Sequence, residues 1–434
     1  MANTIITQTA GIKANDYKAT LSFWVKRGFV DGAADFHGII SSNTGYETGN
    51  GYGMGFFEDF FVLYKINGAA SSNRMYTDRK FRDTSAWYHI VVQIDTTQVS
   101  VNDRIKLYVN GVYEGAFTTG ISNMPSQDTA PYKFFENGET QTIGSGAGNG
   151  GYASFFDGCL SHFYYCDGYA YDASSFGSTN AATGEWVINT SPSVSYGTTG
   201  FLILKDGNGI TDQSPNSNNW TAGTGTLTNT EDCPTDVFCV FNALDNYYQA
   251  GTYSNGNTTF QTNTSNYTYN SSTIGISKGK FYWEIEYEAK SSSNDDPLIG
   301  ITSTQPTNTD NELGKYVNDW GYYEQSGTPY YRNNSANTSY GTTYDVGDVI
   351  CVALDADNAK LYFRINGGSW ENSGDPTSGA TGTGAISITA PASTPLGAYF
   401  PSVCFLDGSS NGTFKANFGN GYFGTTIISS EGTN

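Results

Sequence analysis

Three glutamates at every second position, Glu284, Glu286 and Glu288 in Trp283-Glu-Ile-Glu-Tyr-Glu288, are the residues best spaced for chemistry. A β-strand turns alternate side chains to one face, so the three carboxylates would share a face. Glycoside hydrolysis uses such a pair, one carboxyl as nucleophile or base and the other as acid. A retaining mechanism needs the two groups about 5–5.5 Å apart. Positions four apart on a strand lie roughly 13 Å apart at Cα, so Glu284 and Glu288 would have to lean together. The simpler reading, an acidic face turned to water, is preferred, and hydrolysis through Glu284 and Glu288 is the alternative.

A second group is suited to binding. Asn318-Asp-Trp-Gly-Tyr-Tyr323 and Pro329-Tyr-Tyr-Arg332 mix aromatic rings with amide, carboxylate and guanidinium groups in loop-rich sequence. Sugar faces stack on exposed rings, and hydroxyls need the polar partners. Trp320, Tyr322, Tyr330 and Tyr331 are therefore the candidate ligand-binding residues. Their competing role is the core of their own strands, and a protein-binding surface would have much the same composition.

Metal chemistry has less to rest on. Asp31, Asp35, Asp157, Asp206, Asn208 and Asp212 could offer oxygen ligands to Ca²⁺, but none has the spacing of a defined calcium loop. Loop Asp and Asn are common for turn geometry alone. His37, His89 and His162 are far apart, no Cys/His zinc spacing occurs, and His89 reads as structural within its strand. No G-x-S-x-G or phosphate-binding glycine loop is present. The expectation is no catalytic residue, no metal and no cofactor, with Ca²⁺ as the open alternative.

The elements that would position these residues are strands. In 434 residues there are 52 Gly, 15% aromatic residues and only 14% charged residues. That composition favours strands and turns over helices and argues against disorder. Leu21, Phe23 and Val25 alternate within Thr20–Lys26. Ala86–Ile94 and Arg104–Gly111 follow, the latter ending in the turn pair Asn110-Gly111. A second series has Phe281, Trp283, Ile285 and Tyr287 on one face of Gly279–Glu288. Gly347–Asp355 and Lys360–Gly367 follow, with a second hairpin expected at Asn366-Gly367. The two strand–Asn–Gly units look like one hairpin used twice. Two tandem antiparallel sandwiches are expected, over 1–195 and 251–434, with a packed connecting segment over 196–250.

Net charge is −20. That sign disfavours nucleic acid and acidic membranes. No apolar run approaches the roughly 18 residues of a membrane span, and the first residues show no secretory pattern. The six cysteines are therefore expected to be reduced and mostly buried, with a Cys233–Cys239 loop as the minor alternative.

The residues resemble two known families. Leu21-Ser-Phe-Trp-Val-Lys-Arg27, Trp87-Tyr-His-Ile-Val-Val92, Ile105–Gly111 and Phe156-Asp-Gly-Cys-Leu-Ser161 resemble a laminin-G, concanavalin A-like sandwich. Gly279–Ile285, Ile299-Gly-Ile301, Gly347–Asp355 and Leu361–Gly367 are similar, in order, to a SPRY domain. In SPRY domains loops build the ligand surface. Laminarinase-type glucanases share the sandwich and carry a Glu-x-Asp-x-Glu strand, but the middle residue here is Glu286. The order of modules resembles virion proteins of tailed bacteriophages of marine type, with Gly184–Ile188, Ser195–Phe201 and Cys233–Asn246 as the link. That resemblance implies an all-β, non-enzymatic protein at the virion surface, made in the host cytoplasm. It implies a fibre tip, knob or decoration, with other virion proteins and host-surface glycan as partners. It also implies a symmetric homo-oligomer, a trimer by analogy. A free lectin-like module is the other alternative.

Overall fold

The computed structural model describes residues 4–30, 36–42, 51–65, 74–115, 117, 123–146, 154–205, 207, 209–245, 250–263, 267–291, 297–305, 307–308, 311–325, 327–406 and 410–419. The chain divides into two compact units, Met1–Val237 and Phe238–Asn434. Each is an antiparallel β-sandwich. The helical elements among the described residues are three-residue 3-10 turns such as Ala173–Ser175 and Glu371–Ser373.

In the first unit, a seven-stranded sheet runs in the order Thr221–Ala222, Ile6–Thr9, Thr140–Ile143, Phe36–Ser42, Gly53–Phe57, Phe60–Tyr64, Arg74–Lys80. A six-stranded sheet faces it in the order Phe201–Ile203, Gly158–Asp167, Lys18–Arg27, Tyr88–Asp95, Ile105–Val109, Val112–Tyr113. Period-two alternation puts Leu21, Phe23, Val25, Ile90, Val92 and Ile94 between the sheets, against Ile40, Met54, Phe56, Phe61 and Leu63. Each such side chain contributes about 1.5–3 kcal/mol when fully buried.

The outward residues Thr20, Ser22, Trp24 and Lys26 are buried as well. A ribbon of Gly177–Thr179 and Trp186–Ile188 belongs to a second apolar cluster with Val91, Tyr164, Phe176 and Leu202. The segment expected to connect the sandwiches is divided between them. Residues 196–237 close the first unit, because Phe201–Ile203 pairs with Phe163–Tyr165 and Thr221–Ala222 pairs with Ile6–Thr7.

In the second unit the seven-stranded sheet has the order Thr252–Ser254, Thr259–Gln261, Gly412–Asn417, Lys280–Lys290, Val349–Asp355, Lys360–Ile365, Ile386–Ser387. The six-stranded sheet has Thr268–Ser271, Phe400–Phe405, Pro297–Thr302, Asp319–Gln325, Thr328–Asn333, Ala336–Ser339. Trp283, Ile285 and Tyr287 point into the core with Val352, Leu354 and Phe363. Phe281, expected on that face, is 45% exposed because it sits at the strand's end beyond the core's edge.

The repeated strand–Asn–Gly unit is real at the level of hydrogen bonds. Asn110 donates its N–H to the His89 carbonyl at 2.9 Å, and its side-chain oxygen accepts from the His89 N–H at 2.7 Å. Asn366 does the same with Val349, at 2.8 Å and 2.8 Å. Both pairs have positive φ, 48° and 79° against 51° and 66°, which Asn-Gly tolerates. The outcomes differ. Val112–Tyr113 pairs back after the first turn. The second turn also closes, with Gly368 donating to the Ile365 carbonyl at 2.9 Å, but no return strand follows: the chain leaves into the Glu371–Ser373 turn, and Ile386–Ser387 pairs with Lys360–Leu361 instead.

Candidate ligand-binding face

The glutamate strand is not an acidic face turned to water. Glu284 is fully buried. Its Oε1 accepts from the Tyr282 hydroxyl at 3.0 Å and its Oε2 from Asn417 Nδ2 at 2.9 Å. The Arg364 guanidinium donates to the Tyr282 hydroxyl at 3.1 Å and lies over the Trp370 ring at 4.8 Å. Lys415 pairs with Glu288 at 2.6 Å and with Glu286 at 3.7 Å. Lys415 lies opposite Glu286 in register and reaches Glu288 as well, so the three glutamates share a face, and the strand's register slips only beyond Tyr287. Glu284 and Glu288 are thus both engaged in holding strands together.

The histidine of the first unit is also engaged. Trp186 Nε1–H donates to His89 Nδ1 at 3.0 Å, and Ser22 Oγ lies 2.9 Å from Nε2. An indole can only donate, so Nδ1 accepts and Nε2 carries the proton toward Ser22. Burial pushes the imidazole down to about 3, with the charge of His162 adding to it. A neutral ring that donates to Ser22 cannot take that serine's proton as a general base.

The aromatic candidates separate. Both stretches that were expected in loops form strands, Asp319–Gln325 and Thr328–Asn333. Alternation sends Trp320 and Tyr322 between the sheets, where they are 4% and 0% exposed. Trp320 meets the Tyr399 ring edge-on at 5.7 Å. Tyr322 packs among Tyr340, Tyr344 and Phe363. Neither can serve as a platform for a ligand. Tyr331 is on the same inward face, half-buried against Tyr340 at 5.9 Å.

Tyr330 points the other way. Register places Tyr323, Tyr330 and Ser339 in one row and Gly321, Arg332 and Asn337 in the next. The half-buried Tyr330 ring rests on Tyr323 at 5.9 Å. Asn337 Nδ2 donates to the Tyr323 hydroxyl at 2.6 Å, and that hydroxyl donates to Gln325 Oε1 at 3.2 Å. Arg332 donates to Asn337 Oδ1 at 3.2 Å and pairs with Glu312. Beneath lie Tyr269, Leu298, Leu313 and Cys404. The hairpin carrying the face is held in place. Asn334 and Ser335 turn with φ of 51° and 60°, and their N–H groups reach the Tyr316 and Gly314 carbonyls at 3.2 and 3.0 Å. Asn333 Nδ2 spans the carbonyls of Val317 and Asp319 at 3.0 and 2.8 Å.

This face offers a fixed ring edge, an amide, a guanidinium and a carboxylate. Of the four candidates only Tyr330 lies on it. Sequence reasoning missed Tyr323, Gln325, Glu312 and Asn337. The available signal was that Tyr330 and Arg332 are two apart, but Pro329 weakened the strand reading.

Among the described residues, no group of three His, Cys, Asp or Glu side chains could hold a metal ion. Asp31, Asp35, Asp206 and Asn208 lie outside the described residues. Asp212 is buried and accepts from the N–H groups of Leu202, Ser214 and Asn218 at 2.8, 2.8 and 2.7 Å, which is turn chemistry. All six cysteines are free thiols, and burial pushes Cys159, Cys166 and Cys404 up to about 12. Burial likewise raises the Asp319 carboxyl to about 6, opposed by hydrogen bonds from Thr302 and Thr304. No described helix is long and apolar enough to cross a membrane.

With the geometry in place, comparison with known proteins finds one family match within each unit. Residues 3–168 match Laminin_G_3, described as the concanavalin A-like lectin/glucanases superfamily. Residues 280–421 match the SPRY domain. The chain therefore carries a concanavalin A-like domain followed by a SPRY domain. No curated protein matches the chain. Among solved structures it is similar to the SPRY domain of human HERC1, at 17% identity and a TM-score of 0.30, over 41% of this chain and 98% of that one. It is similar to stonustoxin at 22% identity and 0.30, over 42% of this chain and 27% of the toxin chain. The TRIM65 PSpry domain matches at 14% identity and 0.28, over 42% and 92%. At TM-scores this low they carry no weight for function.

Proposed function

We propose that the chain is a non-catalytic binding protein whose SPRY domain takes a glycan, or a polar segment of a neighbouring protein, on the Tyr330 face. One observation carries this reading. Tyr330 is the sole aromatic candidate turned outward, and it is bordered by Asn337, Gln325 and Arg332, whose donors and acceptors suit hydroxyl groups. A non-catalytic role is supported by Glu284 and Glu288, whose oxygens are occupied by Tyr282, Asn417 and Lys415. The order of the two domains, resembling tailed-phage virion proteins, supports a virion surface as the setting. A symmetric homo-oligomer bearing several such faces would add avidity.

The test is a glycan array probed with the full chain and with Tyr330→Ala and Asn337→Ala. Retention of a glycan class by wild type, lost tenfold or more in both variants, is expected. Binding unchanged in both would refute the site. Turnover of a β-glucan by wild type, abolished in Glu284→Gln, would replace the binding reading with hydrolysis. Particles labelled with antibody against the chain test the setting: label on the tail or the head is expected, and unlabelled particles would end the virion proposal.

A further inference from the structure

Moving a charge out of water is costly unless its partners replace the water. Among the ion pairs of the described residues, one is sealed at both ends. The side chains of Lys26 and Asp232 are each 4% exposed, against 16% and 11% for Arg332 and Glu312, the next most enclosed pair. Lys26 stands on the outward face of Lys18–Arg27, with Cys159 opposite it in register on one side. Tyr88 is opposite Val25 on the other side, so the preceding Trp87 falls beside Lys26. Asp232 comes from the end of the same unit. It sits just ahead of a tight turn in which Cys233 and Asp236 exchange backbone hydrogen bonds at 3.1 and 3.0 Å.

The pair has few other contacts. Lys26 Nζ donates to Asp232 Oδ2 at 2.5 Å, and Trp87 Nε1–H donates to Asp232 Oδ1 at 2.8 Å. An ammonium has three N–H donors, and Asp232 is its one hydrogen-bond partner among the described residues. Two donors are therefore left over in a buried site, a cost that a neutral group with fewer donors avoids. Cys159 adds no charge, because burial pushes its thiol up to about 12.

We propose that Lys26 and Asp232 condense to an intramolecular amide, an isopeptide bond from Nζ to Cγ, with loss of one water. At ordinary hydrogen-bond angles a nitrogen this close to Oδ2 is about 3–3.5 Å from Cγ, the separation from which bound groups react. A proton passes from Nζ to Oδ2 along the existing hydrogen bond, which turns two buried ions into a neutral amine and a neutral acid. The amine's lone pair attacks Cγ. Negative charge develops on Oδ1, where the Trp87 N–H is already aimed. The Cγ–Oδ2 bond then breaks. The leaving hydroxyl takes a proton from the nitrogen and departs as water, and the carbonyl re-forms. The step needs no oxidant, reductant or second substrate.

The product suits the site. Its single N–H replaces three, its carbonyl oxygen keeps the Trp87 hydrogen bond, and no charge remains. The bond ties the strand Lys18–Arg27 to the last residues of Met1–Val237, a closure that none of the six free cysteines makes. A cross-link between residues so far apart in sequence restricts the unfolded chain strongly.

Intact mass spectrometry of the denatured full chain tests this without any ligand or activity. Wild type purified in its folded state should be lighter than its sequence by one water. Proteolysis should then give a branched peptide that joins the segment of Lys26 to that of Asp232. Lys26→Met, which keeps an apolar stem, and Asp232→Ala should each have their full sequence mass. Trp87→Phe, which keeps a ring and loses the N–H, should show the loss in a smaller fraction of chains at equal times after synthesis. Wild type at full mass overturns the proposal and leaves an ordinary buried ion pair. So does a water lost at other residues, shown by the peptide map or by a Lys26→Met variant that is equally light. A Trp87→Phe variant that matches wild type overturns the role given to the indole.

Discussion

The outer faces of the two six-stranded sheets, one in each sandwich, end differently. In the concanavalin A-like domain, the chain covers that face with its own later residues. Trp186 lies parallel to His89 at 6.0 Å, and Trp24 stacks on His89 at 4.9 Å. Lys26 and Trp87 both reach Asp232, at 2.5 and 2.8 Å. In the SPRY domain, the face beside Tyr330 has a small apolar floor and a polar rim, and Tyr330 stays half-buried. The same architecture thus gives one face that holds the chain together and one that remains available. What separates them is chain outside the sheets: among the described residues, no cluster like that of 173–196 and 230–236 lies beside Tyr330.

The largest break in this contrast is expected at Asp232. Lys26 and Asp232 are each 4% exposed at the side chain. Asp232→Ala leaves a buried ammonium without its partner, which costs about 3–5 kcal/mol. Chemical denaturation should show that loss in the concanavalin A-like domain, with the SPRY transition unmoved. An exposed-pair effect under about 1 kcal/mol would mean the face is not sealed.

The next effect is pH-dependent and belongs to the SPRY domain. Asp319, beneath the Tyr330 hairpin, has its carboxyl raised by burial to about 6. The folded chain therefore binds that proton more tightly than the unfolded chain. Its stabilisation is complete below about pH 4 and is lost as pH rises through about 6. A shift of this size is worth roughly 3 kcal/mol at most. The stability difference between wild type and Asp319→Asn should fall by that order from pH 4 to pH 7. A difference that is flat with pH would place the carboxyl in water.

The smallest effect is at Glu288. Its carboxylate is 36% exposed, and its pair with Lys415 is near the surface. Glu288→Gln should change stability by less than about 1 kcal/mol. A larger loss would put Glu288 in the same class as buried Glu284.

Much of the fold was legible in the residues. Leu21, Phe23 and Val25, and Trp283, Ile285 and Tyr287, announce their inward faces by period-two alternation, and both fill sandwich cores. The Asn110-Gly111 and Asn366-Gly367 turns were legible as turns. Whether a return strand follows was not, since that depends on the distant Ile386–Ser387 taking the place beside Lys360–Leu361. The candidate face was legible only in part. Trp320 and Tyr322 have the same local composition as Tyr330, and only strand parity, invisible around Gly321 and Pro329, separates core from surface. Glu284 shows the same limit: alternation placed it outward correctly, but Tyr282 of its own strand, held by Arg364, and Asn417 of a neighbouring strand engage its carboxylate.

The contrast between the faces is tested most directly by one paired comparison of Tyr330→Ala and Trp186→Ala. Each full-length variant is measured for thermal stability and for retention on the glycan that wild type binds. Tyr330→Ala should lose retention tenfold or more while melting as wild type does. Trp186→Ala should melt lower, by an amount equivalent to about 3 kcal/mol, while the SPRY domain keeps its retention. The opposite pattern, retention lost with Trp186 and kept without Tyr330, would contradict the account and move the binding site to the concanavalin A-like domain.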